Sequence, residues 1–354
     1  MNYYINTNDK LQNVLALIRQ AKIVALDTEF TRETTYYPIL SLIQVAIVNL
    51  EEKKEIFLID CLCNLDLSDF FQIIHDKEIV KILHSPLQDL QIFYQHSNLI
   101  PQNVFDTQIM GNFCDFGFNL GYSDIVEKLF DQKLDKKQQR SDWQKRPLSE
   151  RQIEYAMLDV AFLQEIYEIF LDKLIESQRL NWCLEEMDLF IQKALFRKDE
   201  VIYKDFSFRG KTPIETSQIK LMALWREKWA QKINVPKRHL IKDEEIEKIV
   251  MKKNCHLEFT DEMLGEIYEI VSCDLEVIKQ DDFNYFMSEK QKRIFNQAKE
   301  IVAKIAEQEN IKQQFLLTNI DLKDIILKNE FDAKIANGWR GELLLLELKK
   351  LINL

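Results

Sequence analysis

The chain is 354 residues long, more than one compact domain usually holds, so two or three domains are expected. Hydrophobic residues make up 46% and charged residues 30%, a globular balance, while only 7 Gly and 6 Pro argue against a turn-dense sandwich or barrel and favour helices. The formal net charge of −11 at first sight speaks against a nucleic-acid partner, although the distribution of charge matters more than its total.

In chain order, Ile23 to Phe30 (IVALDTEF) is apolar and β-branched before it turns polar, as the end of a central strand would be. Leu42 to Val48 (LIQVAIV), Glu55 to Ile59 (EIFLI) and Ile79 to Leu83 (IVKIL) read as further strands, and the DLQIFYQ run returns to helical spacing. Strands interleaved with helices predict a layered α/β domain. Between Gln132 and Arg151, seven basic residues stand against three acidic ones, a local net of +4. From Ser149 onward, apolar residues recur every three or four positions (Ile153, Met157, Val160, Leu163, Ile166, Tyr167), which predicts a helix capped by Ser149.

The polar segment KDEVIYKDFSFRGKTP, ending at Pro213, reads as a linker, and everything after it as helices on short loops. There Gln218 to Lys253 forms a second basic island, ten basic against five acidic residues. Two such islands are compatible with RNA binding, although a charge run alone usually marks a solvated face. No apolar run approaches a membrane span, and the opening MNYYINTNDK lacks a secretory pattern, so a cytoplasmic protein with no membrane partner is expected. None of the six cysteines (Cys61, Cys63, Cys114, Cys183, Cys255, Cys273) has zinc-site spacing, and reduced thiols are expected.

Four carboxylates stand out by position. Asp27 and Glu29, two apart at the end of the first strand, point to one face. Desolvating two like charges together is unfavourable unless a cation neutralises them, and Mg²⁺ favours such oxygen donors. An Asp-x-Glu by itself equally describes a polar strand end facing solvent. Asp89, in HSPLQDL, falls near the start of a helix, where capping alone accounts for an acid. Tyr155 and Asp159, in IEYAMLDV, share one helix face at a spacing of four, a pattern that ordinary amphipathic helices also show.

Taken together, these segments resemble the DEDD superfamily of 3′→5′ exonucleases, and more closely its tyrosine-bearing subgroup, which contains ribonuclease D. The resemblance runs through ALDTEF, LSLIQVA, KILHSPLQDL, VFDTQIM and QRSDWQKRPLSERQIEYAMLDV, in family order over roughly half the chain. It implies a ribonuclease H-like mixed sheet flanked by helices. It also implies that Asp27, Glu29, Asp89 and Asp159 ligate two divalent metal ions, Mg²⁺ or Mn²⁺, with Tyr155 positioning the attacking water. Near this site, Gln44 and the tract from Gln139 to Trp143 are expected at the RNA end, with Arg140 pairing a phosphate and Trp143 offering a stacking surface, or else packing into the core. His84 is read as a local packing or hydrogen-bonding residue, and Asp106 as structural.

The segment from Ser217 (SQIKLMALWREKWAQKINVPKRHLIKDEEIEKIV) looks like an HRDC module, with Leu221, Leu224, Trp225 and Trp229 inward and Asp243 capping the next helix. Lys237, Arg238 and Lys242 there are candidates for backbone phosphates. A second, divergent copy is suggested by TNIDLKDII and by NGWRGELL, which carries Gly338, Trp339 and Arg340. The expected division is an exonuclease domain over 1–205, then all-α modules over 214–285 and 288–354. The implied activity is 3′→5′ exoribonucleolysis yielding 5′-mononucleotides, with tRNA precursors and other structured RNAs as partners and a monomeric state. Two rivals remain: a DNA 3′→5′ exonuclease with the same carboxylates, and a non-catalytic RNA-binding scaffold. The HRDC-like tail weighs against the first, and the intact set of five residues against the second.

Overall fold

A computed structural model of the chain describes residues 3–196, 200–203, 206–208, 210–252, 259–272, 287–331 and 333–352. Its sheet holds strands β1 (Tyr4–Ile5), β2 (Ile23–Thr31), β3 (Ile39–Val48), β4 (Lys54–Asp60), β5 (Val80–Leu83) and β6 (Val104–Asp106), in the order β1-β4-β3-β2-β5-β6. The β3–β4 pair is antiparallel, whereas β1 with β4, β2 with β5, and β5 with β6 run parallel. This is the mixed sheet expected. The four strands read from the sequence lie within three residues of their places, while β1 and β6 are too short for a periodic signal.

Alternation along the strands divides the core into two layers. Val24 and Leu26 of β2, with Ile43, Val45 and Ile47 of β3, pack beneath α1 (Asn8–Ala21), α2 (Ser68–His75) and α3 (Leu87–Ser97). Ala25 and Ala46 face the other way, towards α4 (Thr107–Phe113), α5 (Tyr122–Phe130), α6 (Glu150–Ala161) and α7 (Leu163–Glu176). Asp27 and Glu29 share the parity of Ala25, so they emerge on the layer that contains α6. Helix α8 (Leu180–Leu195) packs against α3, α4 and β6, with Ile191 in the first core and Cys183 and Met187 in the second.

The chain forms two compact units: Met1–Phe30 with Leu40–Leu195 and Phe286–Leu354, and Thr31–Ile39 with Phe196–Tyr285. Packing therefore follows different seams from the three-part division read along the sequence, whose limits at 205 and 285 lie outside the described residues. The last helices, α14 (Glu289–Gln308), α15 (Gln313–Leu316), α16 (Asn319–Lys328), α17 (Ala333–Ala336) and α18 (Trp339–Ile352), join the exonuclease core through Phe113, Trp182, Phe315 and Trp339. Helices α9 (Glu200–Tyr203), α10 (Pro213–Lys232), α11 (Lys237–Leu240), α12 (Asp243–Val250) and α13 (Asp261–Ser272) belong to the second unit.

In that unit Thr212 and Glu215 form a reciprocal cap on α10, with Pro213 at its first position. Trp225 and Trp229 are buried as expected, but Leu221 and Leu224 are only half-buried. Ile219, Met222 and Ala223 take the inward positions instead, because the core stripe is offset from the one read in the sequence. Asp243 does not cap α12. It pairs with Arg226 at 2.7 Å and Arg238 at 2.9 Å, while the Lys242 N–H donates to Glu245. Cys61, Cys63, Cys114 and Cys183 are free thiols, and Cys255 and Cys273 lie outside the described residues. Among the described residues no helix is long and apolar enough to cross a membrane.

Candidate active site

Each site residue is placed by its own element. Asp27 and Glu29 end the buried part of β2. Asp89 sits in the first turn of α3, and Tyr155 and Asp159 stand one turn apart on α6. Helix α6 begins with a capping box in which the Ser149 hydroxyl accepts from the Gln152 N–H and the Gln152 side chain accepts from the Ser149 N–H. It ends where the Tyr122 hydroxyl donates to Leu158 O at 2.9 Å and accepts from the Phe162 N–H at 3.1 Å. The single helix read beyond Ser149 is thus two, α6 and α7, hinged at Phe162.

All five residues line one cavity of about 570 Å³. Burial drives the electrostatics. It raises the Asp27 carboxyl well above the usual carboxylate range, with Asp89, Asp159 and Glu29 adding repulsion. Burial pushes Glu29 up to about 9, again with repulsion from Asp159 and Asp89, and pushes Asp159 up to about 7. Asp89 is raised by burial too, although a hydrogen bond from the Thr28 hydroxyl to its Oδ1 opposes the shift. Tyr155 lies far above its ordinary value, through burial and the neighbouring carboxylates, and its side chain is hydrogen-bonded to Asp159. Among the described residues no three His, Cys, Asp or Glu side chains are clustered tightly enough to hold an ion by themselves. Asp27, Glu29, Asp89 and Asp159 all stand in the wall of the cavity.

Asp106 is buried and structural in its contacts. Its Oδ1 accepts from the N–H groups of Gln108, as the cap of α4, and of Ser85, each at 2.8 Å. Burial raises it to about 6, against the pull of those amides. His84 lines the cavity with its Nδ1 at 2.9 Å from Thr107 Oγ1, and burial lowers it to about 4, so it stays neutral.

Of the residues expected at the RNA end, Gln44, Arg140 and Trp143 do not line the cavity. Gln44 is fully buried within β3, and Arg140 is exposed. Trp143 is 2% exposed and packs among Leu42, Leu58, Leu148 and Ala156, its ring 6.0 Å from that of Tyr155. Of the tract read from Gln139 to Trp143, Gln139 does line the cavity, and Gln88 and Lys136 supply further polar wall. Lys136 was visible in the basic island, but nothing local distinguishes it from its neighbours. Arg146, for example, is committed to Asp60 at 2.7 Å and to the Ser41 and Trp143 carbonyls.

Residues 2–175 match the 3′-5′ exonuclease family. A ribonuclease D of Bartonella henselae is 30% identical over 97% of this chain and 88% of its own. This chain belongs to the ribonuclease D family. A ribonuclease D of Gluconacetobacter diazotrophicus is 35% identical over 68% of this chain and 61% of its own. The crystal structure of Escherichia coli ribonuclease D, described as an exoribonuclease involved in structured RNA processing, superposes with a TM-score of 0.85 at 26% identity, covering 100% of this chain and 99% of that one. As a ribonuclease D, the protein is a 3′→5′ exoribonuclease, a hydrolase whose substrate is RNA. Its helical C-terminal region agrees with the expected HRDC architecture.

Proposed function

We propose that the cavity hydrolyses the 3′-terminal phosphodiester of RNA with two divalent ions, Mg²⁺ or Mn²⁺, held by Asp27, Glu29, Asp89 and Asp159, releasing 5′-mononucleotides singly. The observation that carries this reading is the meeting of four carboxylates from three elements in one cavity, where burial and mutual repulsion oppose their ionisation. Such a set calls for hard cations, and a cavity of about 570 Å³ leaves room for the water and phosphate oxygens that Mg²⁺ usually keeps. Bound ions would supply the charge that eases deprotonation of water and offsets charge on the phosphate.

The remaining work falls to the chain itself. Tyr155 stays protonated near neutrality, so its hydroxyl orients water and does not act as the base. Thr28 fixes Asp89 through its hydroxyl. Lys136 and Gln139 stand on the wall where an RNA phosphate and sugar would pass. We extend the reading to structured RNAs with 3′ extensions, tRNA precursors among them, to a monomer, and to the cytoplasm. The helical modules would guide the RNA with salt-sensitive affinity.

The test is a gel assay on 5′-labelled RNA with a 3′ extension beyond a stem, run with Mg²⁺, Mn²⁺ or EDTA. The expected result is a metal-dependent ladder shortening from the 3′ end, absent in Asp27→Ala. An Asp27→Ala protein that shortens RNA as the parent does would refute the site.

A further inference from the structure

Asp89 is held from several sides, and two of its supports end on one helix. Its helix α3 starts from a turn in which Ser85 adopts a left-handed φ of 54° and donates its N–H to Asp106 Oδ1. The Asp106 N–H in turn points at Met187 Sδ of α8, at 3.2 Å. Further along, Gln91 Nε2 of α3 donates to Ala194 O of α8, at 2.9 Å. The position of α8 therefore sets both the start and the middle of the helix that carries Asp89.

Helix α8 is itself gripped immediately before Met187. Glu185 accepts the Trp339 N–H at 2.9 Å, and Glu186 Oε1 accepts the Trp339 indole N–H at 3.0 Å. Glu186 also takes both terminal nitrogens of Arg340, whose remaining donors go to Leu316 O and Phe315 O. The ion pair is nearly enclosed, with Arg340 and Glu186 side chains 8% and 13% exposed. Trp339 stacks on Trp182 of α8, with centroids 5.3 Å apart and planes at 20°. Closeness requires Gly341, where a Cβ would meet the Ile335 carbonyl oxygen at 2.5 Å, whereas a Cβ at Gly338 would meet only the flexible Glu185 carboxylate.

We propose that the Gly338–Trp339–Arg340 motif, acting through Glu185, Glu186 and Met187, is a positioning element for Asp89, so that the last helical module tunes the catalytic site as well as completing the fold. Three consecutive residues of α8 thus join a motif near the C-terminus to the peptide that anchors the Asp89 turn. A ligand carboxylate works within about 0.5 Å of its proper place, so modest slack in α8 is enough to matter. The inference rests on the reading of Asp89 as a metal ligand, and Asp89→Asn serves as the control for that reading.

The experiment compares the full chain with Met187→Leu, which conserves volume and removes the acceptor of the Asp106 N–H, and Glu186→Gln, which weakens the grip on Arg340. Amide hydrogen exchange of metal-free protein is followed at residues 84–89, alongside Tm, KM for RNA and the Mg²⁺ concentration for half-maximal activity. The expected result is faster exchange at the Ser85 amide in both variants. The Mg²⁺ requirement should rise about 10-fold with KM unchanged, as for the loss of an outer support of a ligand. Exchange and Mg²⁺ requirement equal to the parent, with only Tm lowered, would show a purely structural dock and overturn the proposal. An Asp89→Asn protein with parental activity would instead overturn the ligand reading beneath it.

Discussion

Replacing Glu29 with Gln should stabilise the metal-free protein while abolishing its activity. Burial, followed by repulsion from Asp159 and Asp89, pushes the Glu29 carboxyl from 4.5 to about 9. Between those pH values the folded chain keeps a proton that the unfolded chain has released. Wild-type stability therefore falls as pH rises through this window, by up to about 1.4 kcal/mol per pH unit. The interval of about 2.5 units between 4.5 and pH 7 sets an upper bound of about 3.4 kcal/mol. Water in an open cavity screens the charges, which brings the expected gain to about 1–2 kcal/mol. For a unit of this size that corresponds to a rise in Tm of roughly 2–8 °C. The assay is thermal unfolding in EDTA at several pH values from 5 to 8.5, for parent and Glu29→Gln. The gap should be small at pH 5 and widen steadily upward. A gap that does not change with pH, or a variant less stable than the parent at pH 8, would refute the electrostatic account of the site.

Other perturbations probe separate features. Tyr155→Phe removes the hydroxyl bonded to Asp159 and should lower kcat by about 10²-fold, through lost positioning of water, at saturating Mg²⁺ with little change in KM, measured by initial rates of RNA shortening. Arg146→Ala strands the buried Asp60 carboxylate, and because Arg146 is partly exposed the expected loss is about 2–3 kcal/mol in denaturant unfolding. Burial would raise Asp60, but the hydrogen bonds from Arg146 and Tyr4 outweigh it and hold the carboxyl below its ordinary value. That stabilisation is therefore complete above the ordinary carboxylate value and lost as pH falls through the lowered one, so the gap between parent and variant should close only in strong acid. Gly341→Ala forces a Cβ against the Ile335 carbonyl and should destabilise by about 1–3 kcal/mol, more than Gly338→Ala, where a flexible Glu185 side chain can yield.

Much of the site was legible before any tertiary structure because its signals are local. An Asp-x-Glu at a strand end and a Tyr-x-x-x-Asp on a helix state their shared faces through the period of the element alone. Ser149 announced its helix as an N-cap, and the structure adds the reciprocal bond with Gln152 that completes a capping box. Strands of two or three residues, such as β1 and β6, carry no such period, and Asp106 therefore shows its place only in the folded chain. The same limit separates Lys136 from its basic neighbours and sends Trp143 into the core beside Leu42 and Leu58.

By itself, the sequence determined which side chains share an element and a face, and by resemblance the family to which the chain belongs. Only the tertiary structure decided which distant groups meet. It brought Asp89 to the Asp27–Glu29 pair, buried Gln44, and tied Trp339 and Arg340 to α8. The reason is physical. Periodicity is a property of neighbours along the chain, whereas desolvation, repulsion and close packing depend on everything that surrounds a group in space.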